Sequence, residues 1–256
     1  TSIGSGNFST NTTGSSNTAV GKGALTANTT ADNNTAVGKD ALLANTTGAN
    51  NVAVGQLALD ANTTASYNIA MGVNTLGATT TGASNTAVGN AAMNANTTGA
   101  SNVAIGGVAL AANTTASHNT AVGYSALLSN TTGLYNVAIG NYAMNTNIDG
   151  DNSIAIGYGA LYTQEPDSNV DMYNVAIGHL ASYLVSTGVQ NTSVGGLALY
   201  NTTTGSNNVA VGYNALNDNT TGGNNVVVGN NALDANTTGD ENTAIGDGAL
   251  SGNTTA

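Results

Sequence analysis

The chain has no cysteine and no tryptophan, one phenylalanine, one proline, and two basic side chains among its 256 residues. Without cysteine, no disulfide framework can hold it together. With only Lys22 and Lys39 against thirteen acidic residues, the formal net charge is −11. That excludes nucleic-acid binding, which needs Lys and Arg to neutralise phosphates. It also disfavours anionic membrane surfaces. No apolar run is long enough to span a bilayer, and no signal peptide is read at the start. Charged residues make up 6% of the chain, a poverty that could accompany disorder. Disorder, however, brings high net charge without apolar periodicity, and here Val, Ile, Leu and Ala recur at fixed places.

What is present is a repeat. Asn34-Thr35-Ala36-Val37-Gly38, followed by Ala41-Leu42 and Asn45-Thr46-Thr47-Gly48, is one copy of a unit that fills the chain. Its marker glycines run Gly4, Gly21, Gly38, Gly55, Gly72, Gly89, Gly106, Gly123, Gly140 and Gly157 at intervals of 17. A gap of 21 leads to Gly178, and the period of 17 resumes through Gly195, Gly212, Gly229 and Gly246. Fifteen copies of so short a unit predict stacked coils within one repeat domain over residues 1–256. The chain starts and stops in mid-repeat without a visible cap. It therefore reads as part of a longer protein, or as a unit whose ends something else covers.

Numbered from the marker glycine, position −1 is Val, Ile or Met in every copy, and −3 is Thr, Val or Ile. Position −2 is Ala in twelve of fifteen, which predicts a short strand with β-branched flanks. Ala and Leu at +3 and +4 predict a second short strand or an extended corner. The Asn-Thr-Thr-Gly or Asn-Thr-Thr-Ala segment supplies the left-handed backbone of tight turns. Such a unit has too few large apolar side chains to offset its own ordering entropy, so it must pair with the coils on either side. The expected fold is all-β, a parallel β-solenoid of about fifteen coils. At about 4.8 Å per coil it would be a rod roughly 70 Å long.

Stacking in register turns each position into a column. One asparagine column at −4 runs through Asn17, Asn34, Asn51, Asn68, Asn85, Asn102, Asn119 and Asn136. It is expected to hydrogen-bond amide to amide along the stack. A second begins Asn11, Asn28, Asn45, Asn62. Gly21, Gly38, Gly55 and Gly72 belong to the marker column. Strand neighbours face opposite ways. If Val20 faces inward, Ala19 faces outward, and an outer column of alanine reads as a second dry interface to another chain. The alternative is a single chain in which alanine lines a thin wall.

The Asn-Thr/Val-Ala-Val/Ile-Gly core with its following Ala-Leu resembles the head repeats of YadA-type trimeric autotransporter adhesins. Asn102-Val103-Ala104-Ile105-Gly106 and Asn152-Ser153-Ile154-Ala155-Ile156-Gly157 carry the likeness best. Asn208-Val209-Ala210-Val211-Gly212-Tyr213-Asn214-Ala215-Leu216, with Asn219-Thr220-Thr221-Gly222, is also similar to repeats of bacteriophage tail fibres. The resemblance implies a left-handed, trimeric β-roll exposed on a cell or virion. The coils here are a few residues longer than those of the adhesin family, and no neck, stalk, anchor or chaperone segment is read.

The break in the period holds four extra residues in the coil at 158–174, with Pro166 and the acidic run Gln164-Glu165-Pro166-Asp167-Ser168-Asn169-Val170-Asp171. Nine of the ten tyrosines fall between Tyr124 and Tyr213, around this insertion. Binding residues favour such loops, so Tyr135, Tyr142, Tyr158, Tyr162, Tyr173 and Tyr183 are candidates for contact with a sugar or a protein, host- or cell-surface. The other reading is tyrosines packing the corners of a tolerated insertion. Asp149, Asp151, Glu165 and Asp167 form an oxygen-rich corner that calcium could use. The EF-hand pattern is not met, since Gly150 is misplaced and Tyr158 stands where its glutamate belongs. His118 and His179 are three to four rungs apart, roughly 15–19 Å, and cannot share a metal within one chain. No base, nucleophile and metal converge, so the chain reads as a non-enzyme without cofactor. Three functions remain: a fibrous adhesin head or tail-fibre shaft, which the resemblance implies; a filament of solenoid ends stacked head to tail; and an ice-binding solenoid, whose flat face Asn45 and Thr47 could make. The Asn-Thr-Thr triplets also match the glycosylation acceptor pattern, which the repeat itself explains.

Overall fold

The computed structural model describes residues 1–255. None of them is helical, and every regular element is a short parallel strand. The chain divides into two compact units, residues 1–125 and 126–256, each a β-solenoid built from the same coil. The first contains eight strands, from β1 (Ser2–Ile3) and β2 (Thr18–Val20) to β8 (Thr120–Val122). The second contains seven, from β9 (Val137–Ile139), β10 (Ile154–Ile156) and β11 (Val175–Ile177) to β15 (Thr243–Ile245).

Within each unit, successive strands pair in parallel and in phase with the repeat. Ala36 lies beside Ala53 in the first unit, and Ala210 beside Val227 in the second. The insertion does not disturb this register: Ala155 still pairs with Ala176. The extra residues leave the coil as a loop and return to the same rung.

The inward and outward faces are the reverse of the expectation. Ala19, Ala36 and Ala53 are fully buried, whereas Val20, Val37 and Val54 are half-exposed. Two neighbours in the sequence explain this. Ala24 and Leu25 are both completely buried, as are the matching pairs such as Ala41–Leu42, Ala109–Leu110 and Ala215–Leu216, whereas Leu250 of the last coil is exposed. Leu25 takes a left-handed backbone (φ 52°), so consecutive side chains turn into the same interior instead of alternating. Most coils therefore fill their centre with one leucine, or with methionine in two of them, Met93 and Met144. In the coil after Gly178 the place is taken by Ser182, which bonds Ser193 Oγ at 2.8 Å. A small side chain fits opposite, alanine in most coils, with Ser193 and Val227 fully buried at the same place in two others. The mostly β-branched residues at −3 and −1 lie on the outer face, where each is partly covered by its copies on adjacent rungs. The Ala-Leu segment is thus a corner, not a second strand. Its backbone still bonds rung to rung, as in Leu42 N–H to the Ala58 carbonyl at 3.0 Å.

The marker glycine is required twice over. Gly38 has φ 143°, and a Cβ there would sit 2.3 Å from the Gly55 carbonyl oxygen. Gly21, Gly55 and Gly72 share this arrangement with the glycines that follow them.

Both asparagine columns are buried, and they work differently. In the +7 column the amides do bond along the stack: Asn45 Nδ2 to Asn28 Oδ1 at 3.1 Å, and Asn62 Nδ2 to Asn45 Oδ1 at 2.7 Å. In the −4 column the main link is side chain to backbone. The backbone N–H of Asn34 donates to Asn17 Oδ1 at 2.8 Å, while Asn34 Nδ2 donates to the Gly48 carbonyl at 2.9 Å. The same pattern holds through Asn51, Asn68, Asn85, Asn102 and Asn119. In the second unit Ser153 N–H donates to Asn136 Oδ1 at 3.0 Å. These contacts satisfy polar groups that a single leucine per coil could not shield.

Candidate functional site: an aromatic groove

Phase within the repeat, more than nearness to the insertion, decides which tyrosines meet. Tyr162, Tyr183 and Tyr200 are each fifth after their marker glycine, so in-register stacking sets them on three successive rungs. Their rings stack at 5.0 Å and 20° for Tyr162–Tyr183, and at 5.3 Å and 6° for Tyr183–Tyr200. A second ridge comes from the corner just after the marker glycine. There Tyr158 stacks on His179 at 5.6 Å, and Tyr142 meets Tyr158 edge-on at 5.8 Å and 80°.

Between the ridges lies an open cavity of about 390 Å³, lined by Tyr142, Tyr158, Gly159, Tyr162, Leu180, Tyr183 and Tyr200. Gly159 keeps it open. A Cβ at that position would lie 2.8 Å from Leu180 Cδ2 and 3.4 Å from the Tyr183 ring. The lining has no charged side chain. Burial, with the neighbouring Tyr162, Tyr200 and Tyr158, pushes the Tyr183 phenol above the ordinary tyrosine range. It is a neutral hydroxyl at physiological pH.

Four of the six candidate tyrosines thus come together: Tyr142, Tyr158, Tyr162 and Tyr183. Tyr135 and Tyr173 do not line this cavity. Both precede the −4 position by one residue, take left-handed backbones (φ 57° and 50°), and point into solvent at a different corner. Tyr200 belongs to the groove although it lies beyond the insertion. Its signal in the sequence is its position at +5, shared with Tyr162 and Tyr183. The chain matches no family model, no curated protein and no solved structure.

The acidic corner is a hydrogen-bonding device in this geometry. Asp151 accepts the Leu134 N–H at 2.6 Å, and Glu165 accepts the Ile148 N–H at 2.7 Å. Asn169 donates to the Asp149 carbonyl at 2.9 Å, and Tyr173 donates to Asp171 at 3.1 Å. Burial raises the pKa of Asp151, helped by nearby Asp171 and Asp149, against the lowering effect of the Leu134 bond. Burial likewise raises Glu165, with Asp149 adding to it. Asp167 is exposed in the loop. Among the described residues no group of three or more His, Cys, Asp and Glu side chains is placed to hold a metal ion. The calcium arrangement of Asp149, Asp151, Glu165 and Asp167 is therefore not formed, because two of the four carboxylates are turned onto backbone amides of the preceding coil.

Two further surfaces complete the picture. Asn45 is fully buried, so it cannot stand beside Thr47 on an outer face. Thr46, its neighbour, gives its hydroxyl proton to the Thr63 carbonyl at 2.9 Å. The strand face, in contrast, presents apolar columns to solvent: Ile69, Met71 and Ile105 in the first unit, and Ile139, Ile154, Ile177, Val226 and Val228 in the second, each 37–44% exposed.

Proposed function

We propose that the chain is a non-enzymatic, extracellular fibrous protein of adhesive or structural type that associates with copies of itself. The observation carrying this reading is the strand face. No coil places a charged residue at −3 or −1, and the large residues there are more than one-third exposed at several rungs of each unit. Soluble monomers rarely show contiguous apolar surface on this scale. An uncharged, flat, regularly stepped face is suited to a second copy of itself, because each rung offers the same side chains. The resemblance to YadA-type heads and phage tail-fibre repeats supports three copies. Repeated weak contacts on such an assembly would add through avidity.

The expected interface differs from the alanine column. Alanine fills the coil interior, so it is Thr, Val and Ile that are free to meet a partner. The test is the native mass of the full chain beside that of a Val103→Lys/Ile105→Lys/Val137→Lys/Ile139→Lys variant. The reading expects three copies for the wild type and one folded copy for the variant. A monomeric wild type at tens of micromolar would refute self-association. Unbranched fibres of indefinite mass would favour the filament instead.

A further inference from the structure

We propose that the groove between the Tyr162–Tyr183–Tyr200 ridge and the Tyr142–Tyr158 corner binds a neutral carbohydrate chain. This deepens the adhesion reading by giving it a ligand class.

Three features select that chemistry. First, the lining is aromatic carbon and leucine carrying phenolic hydroxyls, with no ionised group. Sugars match it, having C–H faces bordered by hydroxyls that both donate and accept. The surplus of acid over base in the chain works against sulfated, phosphorylated or sialylated glycans. Second, the stacking geometry disfavours a cation at the middle of the ridge. Tyr183 has Tyr162 against one face and Tyr200 against the other. A cation needs a free ring face, whereas Tyr183 can offer the groove only its edge and hydroxyl. Third, the ridge repeats once per coil, and a sugar unit in an extended chain advances by about one rung. A polymer lying along the ridge would meet a similar hydroxyl at each step.

The site is built rather than incidental. Mutual stacking holds the rings in place before any ligand arrives, so little side-chain freedom is left to lose on binding. The cavity of about 390 Å³ falls within the range of small-ligand sites. Gly159 occupies a position where neighbouring coils carry Tyr142 and Leu180. Asparagine stands at the same place as Asn214 and Asn231 with left-handed φ of 59° and 50°. Gly159→Asn is therefore compatible with the backbone (φ 62°) and would fill the groove.

The experiment uses the full chain and its own tyrosine fluorescence, which no tryptophan obscures. The probes are tetrasaccharides of glucose, galactose, mannose and N-acetylglucosamine, with tetramethylammonium chloride and a sulfated tetrasaccharide as rivals. The proposal expects saturable binding of at least one neutral tetrasaccharide. Tyr183→Phe keeps the ring stack and removes one hydroxyl, and should weaken binding about tenfold. Gly159→Asn should abolish it. Both variants should retain the wild-type native mass and circular dichroism. No response to any neutral tetrasaccharide overturns the proposal, as does binding that both variants leave unchanged, or a response to tetramethylammonium or the sulfated sugar alone. Self-association fails separately: a monomer that binds sugar through these residues would refute the assembly and keep the groove.

Discussion

Asn62 donates its side-chain amide to Asn45 at 2.7 Å, and both residues are wholly shielded from solvent. Asn45 in turn donates to Asn28 at 3.1 Å and to the Gly48 carbonyl at 2.9 Å. The nitrogen of Asn45 thus faces two acceptors, which makes Asn45→Asp a sharp probe. Ionised, the new carboxylate would oppose both oxygens without solvent, at a cost of about 3 kcal/mol or more. Protonated, it could donate to one of them. Its pKa in the folded state should therefore lie above the unfolded value of about 3.9. The penalty is small below that value, grows as pH rises through the interval between the two, and is constant above the folded pKa. Denaturant melts of variant and wild type at pH 4 and 7.5 should show the gap widening at the higher pH. An equal gap at both would mean that the loss is steric.

Gly55→Ala should be among the most damaging single changes. The position has φ 142°, and a Cβ would lie 2.2 Å from the Gly72 carbonyl oxygen. That carbonyl belongs to the next rung, where Gly72 N–H is tied to the Val54 carbonyl at 2.8 Å. Neither side can yield without opening a rung. A loss of about 3 kcal/mol or more is expected. Because coils depend on their immediate neighbours, amide exchange should accelerate first around residues 52–75. Uniform acceleration throughout the unit would instead show cooperativity beyond nearest neighbours.

Ala91→Gly should act in the opposite direction. Ala91 holds a left-handed backbone (φ 53°), and the equivalent place in other coils is occupied by Gly23, Gly159 and Gly248. Relief of the left-handed strain, at about 1–2 kcal/mol, should outweigh the added freedom of the unfolded glycine, about 0.5–1 kcal/mol. A gain of up to about 1 kcal/mol in a denaturant melt is expected. A loss would show that the alanine methyl has a packing role.

These cases show how far the sequence could be followed. The period, the parallel coils and the glycine column were legible because each depends on residue type at a fixed spacing. The sense of the strand was not. Alternation separates Ala19 from Val20 but leaves open which of them is inside, and side-chain size alone favours valine. The interior width decides it, and that width is set by Leu25 turning inward through a left-handed corner. The groove was half legible for a similar reason. Grouping tyrosines by distance along the chain joins Tyr135 and Tyr173 to the set and omits Tyr200. Grouping them by phase selects Tyr162, Tyr183 and Tyr200 directly.

The acidic corner offers a last prediction, with a definite sign. Asp151 and Glu165 both have pKa values raised mainly by burial, opposed by their bonds to the Leu134 and Ile148 amides. A raised folded pKa means that the folded state holds its proton more tightly than the unfolded state does. These two groups therefore add stability as pH falls from neutral towards their unfolded pKa values, and that contribution is lost as pH rises through the folded ones. Asp151→Asn retains an oxygen for the Leu134 N–H and removes the charge that Asp149 and Asp171 oppose. Comparing melting temperatures at pH 7.5 and 4.5, the variant should gain on the wild type at the higher pH and lose that advantage at the lower. Glu165→Gln should behave alike through Ile148. The same melts with millimolar calcium test the rival use of the corner. With Asp151 and Glu165 engaged by backbone amides, calcium should leave the wild-type midpoint unchanged. A calcium-dependent rise that Asp151→Asn removes would mean that these carboxylates turn from the amides to the ion.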